Sequence, residues 1–190
     1  MAATFTREYE GLTVPEPGTY ALDTGHTTIE FVGRHLMITK VRGRFTDFSG
    51  EIVIGEAPED SSVNVTIDTA SVDSSDEKRD GHLHSPDFLD VEQYPTITFR
   101  SNEVKVNRDG TAKVTGDLTV KDVTRPVTLD VEFDGAQVDP WGGRRLGFSA
   151  ITEIDREDWG LTWNVALETG GVLVGKKIRL ELNVEALRQA

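Results

Sequence analysis

The chain has 190 residues, 37% of them hydrophobic, and its 33 Asp and Glu against 20 Lys and Arg give a net charge of −13 at pH 7. This length and composition predict one soluble domain, and the excess negative charge disfavours nucleic acid and tight docking on anionic membranes. Because the chain has no cysteine, disulfides, thiolate catalysis and cysteine-ligated zinc are excluded.

The first 17 residues are predicted to be a lead-in to a single domain over residues 18–190. They contain neither the basic segment nor the apolar segment of a secretory signal, and no run of roughly 18 apolar residues predicts a membrane span. These observations predict a cytoplasmic protein. Pro15 and Pro17 predict that the end of the lead-in is a linker.

Apolar and polar residues alternate with a period of two through most of the remaining chain. Because a strand turns successive side chains to opposite faces, each such segment has one apolar face, which is typical of antiparallel sheets. About eight strands of this kind must close into a barrel or stack as a sandwich. The predicted strands are 63–68, 112–120, 127–133 and 178–184, with others around Thr19–Asp23, Thr28–Arg34, Val41–Phe45, Glu51–Ile54, Thr96–Val106 and Arg145–Ile154.

Irregularities and turns can also be predicted. In the Thr96–Val106 segment the apolar positions change from odd to even, which predicts a β-bulge near Ser101–Asn102. Turns are predicted between strands at four dipeptides. They are Asp109-Gly110, Asp134-Gly135, Gly142-Gly143 and Gly170-Gly171.

Only residues 71–90 lack strand character, and they form a predicted helical insertion. A helix is expected over about Asp76–Leu83, with Ser74 or Ser75 as its N-cap. The stretch RDGHLHSPDFLD at 79–90 holds His82 and His84, which on a helix would point about 200° apart. Zinc needs converging ligands, so no metal site is predicted and the histidines are interpreted as capping or hydrogen-bonding groups.

Catalytic motifs are not found elsewhere in the sequence. There is no G-x-S-x-G nucleophile elbow and no phosphate loop, and most carboxylates fall on outward-facing positions. The segment 155–160 is interpreted as a turn in which Arg156 pairs with a carboxylate and Trp159 packs inward. What remains is the apolar face, where aromatic residues alternate with Ala112, Gly116 and Ala150. Such a barrel interior either fills with side chains or holds one small ligand.

Several motifs together resemble the YceI-like, polyisoprenoid-binding family, and they run in order over residues 18–187. They are GTYALD at 18–23 with Ile29-Glu30-Phe31 and His35, VRGRF at 41–45 with FSG at 48–50, RDGHLHSPDF at 79–88, PTITF at 95–99, GDLTV at 116–120 with VTRPV at 123–127, and IDREDWG at 154–160. The resemblance implies an all-β fold, an antiparallel eight-stranded lipocalin-like barrel with one short helical insertion. It also implies an apolar pore that holds a long isoprenoid or similar amphiphile.

The alternation and the family motifs together give the predicted site. The predicted ligand-binding residues are Ile29, Phe31, His35, Phe45, Phe88, Ile97, Phe99, Leu118, Leu129, Val131, Phe133, Phe148 and Trp159. The predicted structural or gating residues are Arg79, Asp80, His82, Leu83, Asp155 and Arg156. Under the resemblance, Arg79, Asp80 and His82 hydrogen-bond the insertion to the barrel wall, while Leu83 and Phe88 face inward.

The predicted function is to carry or sequester a polyisoprenoid or other long-chain lipid, with no covalent step and no cofactor besides that ligand. A lipid-modifying enzyme using polar residues at the pore mouth and a structural β domain with a filled core remain as alternatives. No nucleic acid and no stable membrane insertion are expected, and a homodimer is left open. The ligand is expected to enter through the end closed by the insertion, or through an opposite end near Asp155–Gly160.

Overall fold

The structure is a computed structural model that describes residues 5–190, and it consists mainly of antiparallel strands around one long interior. Residues 1–4 of the predicted lead-in lie outside the described part. The strands are β1 Thr6–Tyr9, β2 Leu12–Pro15, β3 Gly18–Leu22, β4 Thr28–His35, β5 Thr39–Phe45, β6 Phe48–Ile54, β7 Ser62–Asp68, β8 Val72–Asp73, β9 Thr96–Val106, β10 Ala112–Val120, β11 Val123–Val138, β12 Arg144–Asp155 and β13 Lys177–Arg188. The helix α1 spans Glu77–His84, and short 3-10 turns lie at Pro58–Asp60, Thr69–Ser71 and Arg156–Trp159.

Eight strands close into a barrel. Their order around the ring is β3, β6, β7, β9, β10, β11, β12 and β13, and β13 pairs back onto β3. The β12–β13 ladder runs from Arg145 opposite Leu187 to Asp155 opposite Lys177. Each pairing is antiparallel, so the predicted eight-stranded barrel is confirmed.

A hairpin branches from the barrel at β13. One edge of β13 pairs with β3 through 186–188 and with β4 through 179–183. Strand β4 continues past its last β13 partner, Val32 opposite Arg179, and from there to His35 it pairs with β5 and, by a bridge from His35 to Val174, with the loop at 160–176. The β4–β5 hairpin therefore extends beyond the rim of the barrel.

Two bulges bend the long strands. In the β9–β10 ladder Glu103 pairs with Thr115 and Ser101 with Gly116, so Asn102 is the extra residue and the predicted bulge is confirmed. The prediction of a turn at Asp134-Gly135 is wrong. This dipeptide lies inside β11, where the register with β12 shifts between Phe133 and Gly135. Asp-Gly favours tight turns, but Gly with a positive φ also suits a bulge, and Gly135 has φ 141°.

The N-terminal segment folds onto one end of the barrel. Strands β1 and β2 form an antiparallel hairpin, so the described part of the lead-in is not the linker that its prolines predict. Phe5 is buried in a cluster with Tyr20 and Leu146, and the Arg7 guanidinium donates to the main-chain carbonyls of Gly55, at 3.3 Å, and Glu56. This hairpin closes the end that we call the far end.

The insertion closes the other end, called here the α1 end. The N-cap of α1 is Asp76, whose carboxylate accepts from the Arg79 amide at 2.9 Å, so Ser74 and Ser75 are not the caps. After the helix, residues 85–94 run through consecutive turns. Among the described residues, no helix is long and apolar enough to cross a membrane. The buried cluster beneath this end is Phe48, Ile67, Val72, Leu89, Ile97, Leu118, Val120, Val127 and Trp159.

Candidate functional site

The interior of the barrel contains an apolar cavity of about 800 Å³. Its wall consists of the inward-facing residues of the alternating strands, which the period-two pattern places on one side of the sheet. Many of these side chains, Phe31, Phe99 and Phe133 among them, are only half-buried although they face inward. A filled core would cover such rings, so the barrel interior is only partly filled.

All thirteen predicted ligand-binding residues border this cavity, from Ile29 on β4 to Trp159 at the α1 end. Whether each of them contacts a ligand stays a prediction. Sequence reasoning missed a large part of the wall. The missed residues include Val63, Val65, Val114, Ile178, Leu180, Leu182 and Val184, and the alternation in the predicted strands at 63–68, 112–120 and 178–184 is the signal that could have found them.

Glycines make room for the aromatic residues of the wall. Gly43 on β5 lies opposite Phe31 on β4, and a Cβ at Gly43 would lie 2.7 and 2.8 Å from Cε2 and Cε1 of the ring. Gly116 likewise makes room for the ring of Phe99, because a Cβ added at Gly116 would lie 2.7 Å from the Phe99 Cζ. Because a ring can lie flat over a glycine, these pairs leave the centre of the barrel open.

Three aromatic rings close the α1 end. His82 of α1 meets Trp163 edge to face with ring centroids 4.5 Å apart, and it meets Phe88 in the same way at 5.0 Å. His82 Nε2 lies 2.8 Å from an Asp87 carboxylate oxygen. All three rings border the cavity, so the helix, the turn after it and the loop at 160–176 meet at this lid.

The polar residues of the insertion bind mainly to the insertion itself. Asp80 accepts from the Ser74 amide at 2.8 Å and from its hydroxyl at 2.5 Å, while Arg79 donates to the Ser74 hydroxyl at 2.8 Å and carbonyl at 2.7 Å. Ser74 directly follows β8, which pairs with β5 of the protruding hairpin. The expectation that Arg79, Asp80 and His82 bond directly to the barrel wall is therefore wrong. As predicted, Leu83 and Phe88 face the cavity.

Arg156 is a buried cation bound by main-chain carbonyls. It is 4% exposed and donates to Gly175 O at 3.0 Å, Leu161 O at 2.5 Å and Val174 O at 3.4 Å. The prediction of a carboxylate partner is wrong, because Asp155 caps the 3-10 turn by accepting from the Glu157 amide at 3.0 Å. Burial lowers the pKa of the Arg156 guanidinium, which nevertheless stays charged at neutral pH. This side chain holds the loop at 160–176 against the barrel.

The two ends proposed from the sequence for ligand entry are the same end. The Arg156 guanidinium lies 6.0 Å from the Phe88 ring centroid, and Trp159 shares a buried cluster with Leu89. The segment 155–160 therefore lies beside the insertion. The end opposite to both is the far end, where the β1–β2 hairpin packs.

The ionisable side chains at the cavity are all of the basic residue types. Across residues 5–190 those that border it are arginines or histidines, with no aspartate, glutamate or lysine among them. This is the reverse of the whole chain, in which acidic residues predominate. Except for Arg7, they lie at the α1 end or on the β4–β5 hairpin. They are Arg7, Arg34, His35, Arg79, His82 and Arg156.

The histidines of the insertion do not converge. His82 is bound to Asp87, whereas His84 Nε2 lies 3.1 Å from the Ala70 carbonyl oxygen. Three potential metal ligands come together elsewhere, on the outer surface, at Asp23, His26 and Glu185. Their carboxylates already bind a cation, because Arg145 Nη1 donates to Asp23 and, at 2.6 Å, to Glu185.

The closed antiparallel barrel around an apolar cavity defines a lipocalin-like fold. The chain belongs to the YceI-like domain family, whose model matches residues 20–186. A UPF0312 protein of Ectopseudomonas mendocina is 41% identical over 175 residues, which cover 90% of this chain and 87% of the relative.

Two solved structures share the fold. The YCEI protein of Campylobacter jejuni is 31% identical with a TM-score of 0.71, and the match covers 83% of this chain and 90% of that one. A domain of Saccharophagus degradans described as polyisoprenoid-binding has a TM-score of 0.66 at 16% identity, over 90% of this chain and 98% of that one. The second likeness concerns the fold alone.

Proposed function

We propose that the protein binds a polyisoprenoid or a similar long-chain amphiphile in its barrel and acts as a carrier or sequestering protein. The observation that carries the proposal is the apolar cavity of about 800 Å³ inside a closed barrel. A wall of this kind stabilises an apolar chain by roughly 0.8 kcal/mol for each CH₂ removed from water. A few isoprene units therefore supply several kcal/mol before the ordering of the chain is subtracted.

The cavity volume limits how much of a ligand is enclosed. At roughly 30 Å³ for each water-sized group, 800 Å³ holds on the order of 25 heavy atoms, or about five isoprene units. We expect a longer chain to fold back or to protrude. Discrimination among chains longer than this should be weak, because their additional units lie outside the cavity and gain little from its apolar wall.

The charges at the cavity favour one orientation of an amphiphile. Five of its six ionisable neighbours lie at the α1 end or on the hairpin beside it, whereas the middle of the barrel is lined by apolar side chains. Burying a polar headgroup among apolar residues is costly. We therefore place the headgroup at the α1 end and the tail toward the far end.

One protein of the same fold is named as polyisoprenoid-binding, which makes this ligand class the first to test, and membership of the YceI-like family supports a binding role. An enzyme would need a nucleophile or an acid–base pair beside the bound lipid. The ionisable side chains along the described wall include no carboxylate or lysine, and of the two histidines there, His82 is engaged by Asp87 and by the rings of Phe88 and Trp163. We therefore propose binding without a covalent step. Transport within the cytoplasm, the location predicted from the sequence, is part of the same proposal.

Native mass spectrometry of the protein purified from a cell extract tests this function, and a co-purifying hydrophobic species is the expected result. Phe133→Asp places a charge in the apolar wall and should abolish uptake of a fluorescent polyprenyl analogue. Trp141→Asp makes the same kind of change on a residue that is 87% exposed and should leave uptake unchanged. Normal uptake by a folded Phe133→Asp protein would show that the cavity is not the binding site.

A further inference from the structure

The tip of the β4–β5 hairpin exposes three consecutive apolar residues. Leu36, Met37 and Ile38 are 36%, 53% and 74% exposed. Single exposed apolar residues are common on protein surfaces, but here three of them stand together at the tip of one hairpin. We call these residues the apolar tip.

The backbone at the apolar tip adopts a conformation that does not suit its residues. Leu36 has φ 52° and Met37 has φ 59°, values in the left-handed region that Gly and Asn adopt most readily in hairpin turns. Asn or Gly would relieve the strain and leave the hairpin intact. Large apolar side chains at these positions therefore indicate a role for the side chains themselves.

The apolar tip is held in place by the loop at 160–176. The Leu36 amide donates to Leu173 O at 2.8 Å, and the Gly175 amide donates to Arg34 O at 2.9 Å. In the same loop Leu173 N donates to Val165 O at 3.0 Å, and Val165 is 45% exposed. Val165 thus extends the apolar surface on a support that is fixed by main-chain hydrogen bonds.

Cations flank the apolar tip. From Phe31 to Phe45 the chain has four arginines and lysines and no carboxylate. Arg42 pairs with Glu181 at 2.9 Å and Arg44 with Asp73 at 3.2 Å, whereas Arg34 and Lys40 have no carboxylate oxygen within 4.0 Å in residues 5–190. The end of an acidic molecule therefore presents apolar side chains next to Arg34 and Lys40, which lie opposite each other in the β4–β5 ladder.

We propose that the apolar tip, with Val165, Arg34 and Lys40, docks on the surface of a bilayer that contains anionic lipids. In such a contact apolar side chains enter the boundary between headgroups and acyl chains while Arg and Lys meet phosphates. Repulsion from the distant acidic surfaces is screened beyond about 8 Å at physiological salt, so the local cations decide the contact. Docking would bring the α1 end of the cavity to the membrane, where a water-insoluble ligand can be exchanged.

Co-sedimentation with vesicles at physiological ionic strength tests the proposal. The protein should bind vesicles of phosphatidylcholine and phosphatidylglycerol in equal amounts and bind vesicles of phosphatidylcholine alone much less. Ile38→Ser should weaken binding by about tenfold, since it removes one buried apolar side chain from the contact. Lys40→Gln should weaken binding to the anionic vesicles alone.

Two control variants carry the same changes away from the apolar tip. Trp141→Ser alters a more exposed apolar residue in the β11–β12 turn, at the far end, and Lys105→Gln removes a cation from β9. Both should bind vesicles like the unaltered protein. Equal binding by Ile38→Ser and the unaltered protein would refute the docking surface.

Analytical ultracentrifugation distinguishes membrane docking from self-association. A dimer that Ile38→Ser dissociates, together with no vesicle binding, would assign the apolar tip to a second copy of the chain and overturn the proposal. Uptake of the fluorescent polyprenyl analogue in vesicle-free solution measures the cavity separately. The docking proposal can therefore fail while the lipid-binding function stands, and the reverse is also true.

Discussion

Gly43 and Phe31 show how a single residue shapes the cavity. An added Cβ at Gly43 would overlap the ring, so Gly43→Ala should turn Phe31 away from the wall. Overpacking of this kind typically costs about 1–3 kcal/mol, and we also expect weaker uptake of the polyprenyl analogue. Urea denaturation and a binding titration measure the two effects. Gly147→Ala is the control on β12, where a Cβ meets its nearest atom at 3.6 Å, and it should change both far less.

Asp23 is the residue at which we expect a pH effect on stability. Two side-chain hydrogen bonds lower the pKa of Asp23 from 3.8 to about 2: the one from Arg145 has the larger effect, and the one from His26 the smaller. Since the folded-state pKa is the lower one, this stabilisation is complete above pH 3.8 and is lost as the pH falls through 2. Its size should be roughly 1–2 kcal/mol.

Urea denaturation at a series of pH values measures this effect. Asp23→Asn should remove the part of the acid destabilisation that falls in this window. Asp122→Asn changes an exposed carboxylate in the β10–β11 turn and should leave the pH profile unaltered. Identical profiles for Asp23→Asn and the unaltered protein would contradict the assignment.

At the scale of elements, α1 is the part of the lid best suited to move. It has eight residues, and helices this short are stable only through packing and caps. Gly81 is exposed and a Cβ there meets no atom within 4 Å, so Gly81→Ala should stabilise the helix by up to about 1 kcal/mol. We expect it to slow exchange of the polyprenyl analogue more than it changes affinity.

Asp76→Ala is the opposite test on the same helix. It removes the N-cap hydrogen bond to the Arg79 amide, which typically costs about 1 kcal/mol, so exchange should become faster. Stopped-flow transfer to acceptor vesicles measures both rates. Equal exchange rates in the two variants, with altered helix stability confirmed by hydrogen exchange, would exclude α1 as the gate.

The sequence predicts a strand or bulge correctly where the local pattern of apolar and polar residues has only one structural explanation. The alternation of β9 located both the strand and the bulge at Asn102, because a change in parity has no other simple cause in a continuous strand. The β1–β2 hairpin was missed because its strands have four residues each. The prediction of a turn at Asp134-Gly135 failed because an Asp-Gly dipeptide is compatible with both a turn and a bulge.

At the scale of the whole molecule, the barrel followed from alternation and family motifs, but the cavity did not follow from alternation alone. Alternation gives the inward face of Phe133 and Phe148, which are paired neighbours on β11 and β12, yet whether the inward rings leave a cavity between opposite walls depends on barrel size and on glycines such as Gly43. The partners of Arg156 were also beyond prediction. Its acceptors are main-chain carbonyls of the loop at 160–176, which carries no sequence signal for hydrogen bonding.

The position of β13 in the ring affects how the protein is made. This strand joins β12 on one edge and both β3 and β4 on the other, and its partner β3 lies near the opposite end of the sequence. A ribosome adding about 5–20 residues per second therefore holds an open sheet until β13 emerges. During that interval the edges of β3 and β12 are unpaired, and unpaired edges are the sites at which β proteins aggregate. We therefore expect the nascent chain to need protection by chaperones until β13 leaves the ribosome and pairs with both edges.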